Sequence, residues 1–135
     1  MHECIVVVLR NTFFVGPHCS HTRSPEIFTS TLPQRADERE VPMVMLALVG
    51  TAIHAALCAW RAGFFDPQSF SADAVVDAYN EHITLLTEIK SQNARGYHTM
   101  MHCLFSRASN AIAPIVSPTP QNALAHVDFA AMKID

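Results

Sequence analysis

Apolar positions recur at helical spacing in three stretches of the chain. From Met43 to Arg61, the side chains of Leu46, Val49, Ile53, Leu57 and Trp60 fall on one bulky face. A second stripe there, Ala47, Gly50, Thr51, His54 and Cys58, is small or weakly polar, so another backbone can approach it closely. Pro42 suits the first turn, where its missing N–H costs nothing, and Gly63 suits the stop. The second stretch runs from Ser71, a good N-cap, to Ser91. Val76, Tyr79, Ile83 and Leu86 share one face, and Asp73, Asp77, Asn80, Glu81, Thr84 and Glu88 face away. After a turn over Gln92–Gly96, Tyr97, Met101, Leu104 and Ala108 form the stripe of a third helix ending at Ser109. The expected fold is all-α, a small bundle of three main helices over about 43–61, 71–91 and 97–109.

The remaining segments read less directly. Ile5-Val6-Val7-Val8-Leu9 is a continuous β-branched run, which by local preference reads as a buried strand. Its continuation to Phe14 also fits a helix with Leu9 and Phe13 on one face, so both readings stand for this N-terminal element. Gly16 to Glu40 holds Pro17, Pro25 and Pro33 and reads as irregular. The run Arg35 to Glu40 reads as a solvated, mixed-charge connector. Pro114, Pro118 and Pro120 mark a tail, with room for a short helix over Ala123–Met132. The expected organisation is one helical domain over 1–110 and a Pro-rich tail over 111–135.

Composition sharpens this picture. Half of the 135 residues are hydrophobic and only 16% are Asp, Glu, Lys or Arg, against a usual charged share of about 25%. Such a chain is expected to have apolar surface covered by a partner or by helices of a larger domain. The net charge is −3 and no basic block occurs, which argues against nucleic acid as a partner. Val41 to Trp60 carries no formal charge and is long enough to span a bilayer. Pro42, Gly50, Thr51 and His54 argue against insertion, so a soluble, buried helix is favoured. The four cysteines, Cys4, Cys19, Cys58 and Cys103, show no C-x-x-C pair and no secretory leader precedes them, which favours an intracellular chain.

Eight histidines make metal binding worth testing. His2, Cys4, His18, Cys19 and His21 are possible ligands but lack paired spacing. His98 and His102 are four apart on one helix face, so they are the weak metal candidates. A zincin helix would place Glu after the first His, and Thr99 stands there instead. The competing expectation is two histidines edging an apolar stripe beside Phe105. His54 and His82 read as core or boundary residues bonded to backbone. Asp73 and Asp77 read as solubilising charge, and the Ser-Pro and Thr-Pro pairs at Ser24, Ser117 and Thr119 as chance occurrences. No G-x-S-x-G elbow or phosphate loop occurs, so no catalytic or cofactor-binding residue is assigned and an enzyme is disfavoured.

Three blocks carry a family resemblance: Val41 to Trp60, Phe70–Asp73 with Val76–His82, and Gly96 to Phe105. Together they resemble a basidiomycete fungal family, the domain of unknown function 6532. The resemblance implies an all-helical fold, which favours a helix at the N-terminal element. It implies no activity and no site residues, and it suggests that this chain corresponds to the C-terminal part of the family domain. The expected function is a non-catalytic interaction or scaffold module, meeting a protein partner or a second copy. Metal binding through histidines and membrane association through 41–60 are the alternatives.

Overall fold

Residues 2–109 are described in the computed structural model of the chain, and all regular structure among them is helical. Five α-helices follow one another: α1 (Glu3–Leu9), α2 (Ser20–Arg23), α3 (Met43–Ala59), α4 (Ala72–Gln92) and α5 (Ala94–Ser109). The Pro-rich tail lies outside the described residues. Among the described residues, no helix is long and apolar enough to cross a membrane.

The β-branched run at the N-terminus is helical, not extended. Helix propensity penalises valine by only a few tenths of a kcal/mol, up to about 0.7. Burying each of Val6, Leu9 and Phe14 is worth roughly 1.5–3 kcal/mol, and all three are in the core. Packing therefore overrides local preference. A π-helical turn over Arg10–Phe14 continues α1, and the wider turn carries Phe14 inward. The helix packs against both α3 and α5.

Gly16 to Glu40 also departs from the irregular reading. It holds α2 and two 3₁₀ turns, Pro25–Ile27 and Pro33–Arg35, and it drives Phe28 into the core at 1% exposure. The Phe28 ring lies 5.5 Å from that of Phe14 and 5.4 Å from that of Phe105. Phe14 meets Phe105 edge-on at 5.7 Å, closing an aromatic triangle.

The α4–α5 connection is tighter than the five-residue turn expected, because α5 begins at Ala94. Asn93 alone separates the helices. Its N–H caps α4 by donating to the Ile89 carbonyl, and its side-chain oxygen accepts from the Gly96 N–H at 2.8 Å. Ser71 caps the other end of α4 as expected, accepting from the Ala74 N–H.

The small-residue stripe of α3 is where α4 packs. Ala47 and Thr51 are buried, and Thr51 returns its hydroxyl hydrogen to the Ala47 carbonyl. A Cβ at Gly50 would lie 2.9 Å from the His82 ring, and that ring is tied to the Ala78 carbonyl at 2.6 Å. Gly50→Val is therefore expected to destabilise the fold by about 1–3 kcal/mol, read as a lower urea midpoint. An unchanged midpoint would show that α4 yields freely.

Candidate functional site

The bulky face of α3 is covered only over its first half. Val49 is buried and Leu46 and Ile53 are partly covered, but Leu57 and Trp60 are 68% and 59% exposed. Val44 and Leu48 are also exposed, so α3 is apolar nearly all round with one side open. Trp60 meets Phe65 in a tilted pair with ring centroids 5.3 Å apart, and both rings stay at the surface. Elsewhere, α3 and the start of α4 frame an apolar groove of about 450 Å³. Leu48, Phe70, Val76 and Tyr79 line it. Phe70, Leu48 and Val76 are 60%, 48% and 44% exposed there. Exposed aromatic and branched side chains gathered in one concave patch are the surface feature most often used for protein contacts.

A second arrangement surrounds His98, which is buried at 1% exposure. The connector 38–41 runs along α5 without regular structure. Glu38 and Glu40 point to His98, whereas Arg39 lies over the Phe105 ring. The Glu38 carboxylate accepts from His98 Nε2 at 2.6 Å. Glu40, itself buried, accepts from Nδ1. The Thr31 N–H and hydroxyl both donate to the same Glu40 oxygen at 2.8 Å. One helix turn later the His102 Nδ1–H donates to the Arg39 carbonyl at 2.7 Å, and the Val41 N–H donates to the Met101 carbonyl. The connector is thus clamped along the 98, 101, 102 and 105 face of α5.

A carboxylate at each nitrogen requires both ring protons. Burial works against that charge and is the largest single influence, but the hydrogen bonds to Glu38 and Glu40 outweigh it and raise the His98 pKa above its usual value. The bond from His98 lowers the Glu38 pKa in return. Burial, with Glu40 nearby, pushes Tyr97 up to about 12.

This geometry decides what His98 can do. An imidazolium with both nitrogens donating has no lone pair for a metal. Its ring lies parallel to that of His102 at 6.0 Å. Ser30 approaches the nitrogen already held by Glu40, at 3.4 Å, so no base stands free to activate it. His98 therefore does not edge a solvated stripe; it is buried and holds a chain segment. The mixed-charge run was expected to be solvated, and at Glu40 that expectation is corrected. The pairing of residues 38 and 40 with 98 spans about sixty positions, and no local signal in the sequence marks it.

The other histidines and cysteines are dispersed. The His2 ring caps α1, His21 stacks on Phe14, and Cys19 contacts Thr22. His82, half-buried in the middle of α4, bonds the Ala78 carbonyl, as expected of a boundary residue. His54 lies 3.5 Å from Cys58 on the exposed side of α3. Among the described residues, no group of three or more His, Cys, Asp or Glu is arranged to hold a metal ion.

The model of a family described as a domain of unknown function (DUF6532) matches residues 1–89. That match takes in the N-terminal element and the first two helical blocks but stops before Gly96–Phe105. No curated protein and no solved structure matches the chain.

Proposed function

This chain belongs to the DUF6532 family, and on that premise we propose that it is a non-catalytic interaction module that docks a protein segment on the open α3–α4 face. The observation that carries this reading is the apolar groove of Leu48, Phe70 and Val76 in a fold where Leu57, Trp60, Phe64 and Phe65 are also uncovered. Leaving such groups in water forfeits roughly 25 cal/mol for each Å² that burial would hide. A partner's apolar side chains would recover it. The block resemblance also supports, as proposals, a basidiomycete source and a place toward the C-terminal side of the family domain.

The double substitution Leu48→Asp with Val76→Asp tests the reading. Neither side chain supports the core, so the melting temperature should stay within a few degrees of the parent. Fluorescence of an apolar dye on the folded protein should drop sharply. A loss of several kcal/mol, or dye binding that ignores both changes, would place the open surface elsewhere.

A further inference from the structure

We infer that the hollow between the 3₁₀ turn Pro33–Arg35 and the first turns of α5 binds the phosphate group of a small phosphorylated ligand. The hollow holds about 330 Å³, enough for a small molecule. Leu32, Gln34 and Arg35 form one wall, and Arg95, His98 and Thr99 form the other. Positions 95, 98 and 99 are three and four apart on α5, so they share one face. No carboxylate lines the hollow, in a chain whose net charge is −3. It has no lining residue in common with the α3–α4 groove, so this inference stands or falls apart from the interaction reading.

Each wall brings one guanidinium. Arg35 Nη1 lies 3.4 Å from the Glu38 oxygen that also accepts from His98, which keeps this side chain beside the hollow. Arg95 enters no ion pair among the described residues. Glu38 and Glu40 are not on the lining, and Arg35, Arg95 and the doubly protonated His98 outnumber them. The Thr99 hydroxyl is spent on the Arg95 carbonyl at 2.9 Å, so the two arginines and the Gln34 amide are the donors left. A phosphate monoester brings nearly two negative charges and three acceptor oxygens. The planar N–H fork of arginine matches two such oxygens at once. A carboxylate brings half the charge, so it is the weaker occupant.

The experiment titrates the isotope-labelled full chain with phosphoserine, inorganic phosphate and serine, near neutral pH and at low salt. Phosphoserine should shift the amide signals of Gln34, Arg35, Arg95 and Thr99 to saturation, and serine should not. Arg95→Gln should weaken phosphoserine about tenfold, as the loss of charge-assisted hydrogen bonds allows. Arg95 is exposed, so the melting temperature without ligand should stay within a few degrees of the parent. Arg39→Gln removes a guanidinium that lies over Phe105, off the lining, and should leave binding unchanged. Inorganic phosphate binding as tightly as phosphoserine supports the site with free phosphate as its ligand, and weaker binding supports it with a phosphorylated organic ligand. The inference is overturned if no signal saturates, if the shifts fall outside the hollow, or if Arg39→Gln weakens binding as much as Arg95→Gln. None of these results touches the groove reading.

Discussion

Replacing His98 with leucine is expected to cost about 3–5 kcal/mol at neutral pH, because it removes the cation facing the buried carboxylate of Glu40. Leucine fills much of the ring's volume, so the loss reports charge and hydrogen bonding more than a cavity. For a domain of this size that corresponds to a fall in melting temperature of about 12 °C or more. Adding Glu40→Gln to the variant should recover part of the loss, since the amide oxygen still accepts from Thr31 and no charge is stranded. A cost below about 1 kcal/mol, with no recovery in the double variant, would show that water reaches the clamp.

The same clamp sets a pH dependence. The folded pKa of His98 is raised, so its contribution is complete below the ordinary value of 6.5 and is lost as pH rises through the folded value. The folded pKa of Glu38 is lowered, so its contribution is complete above the ordinary value of 4.5 and is lost as pH falls through the folded value. Both contributions are present together between these two ordinary values. Thermal unfolding should thus be most resistant in that interval and weaken on the alkaline side. His98→Leu should lose that alkaline decline, and a parent protein equally stable at pH 5.5 and pH 9 would contradict the assignment.

Phe28→Ala should cost about 3–5 kcal/mol, as large as truncating a residue in the middle of a helix. Phe28 is 1% exposed and its ring meets both Phe14 and Phe105. These neighbours come from α1's π-turn and from α5, so no single element can collapse into the space. Phe28→Leu should retain most of the packing and cost about 1–1.5 kcal/mol. A denaturant titration that places Phe28→Ala within about 0.5 kcal/mol of the parent would return this segment to the status of a surface loop.

The three long helices were legible because their evidence is local. Val76, Tyr79, Ile83 and Leu86 repeat at the helical period, and Ser71 caps the end where that pattern begins. The close α3–α4 approach was legible too, because small side chains at Ala47, Gly50 and Thr51 leave room whatever fills it. The start of α5 was misplaced by three residues because Gly96 and Asn93 together signal a turn. Only the geometry shows that Asn93 caps both helices.

Sequence by itself pointed to a helical bundle, placed its three main helices and marked an excess of apolar residues, while it left the N-terminal element open between strand and helix. Periodicity, capping and composition act over a few residues or over the whole count, so they can be read without a fold. Tertiary structure alone decided which apolar residues stay open and what becomes of the charged connector. Leu57 and Trp60 look no different in sequence from Val49, and they stay exposed because no helix among the described residues covers that end of α3. Glu40 looks no more buried in sequence than Asp37, and it goes inward because His98, 58 positions away, supplies the compensating proton.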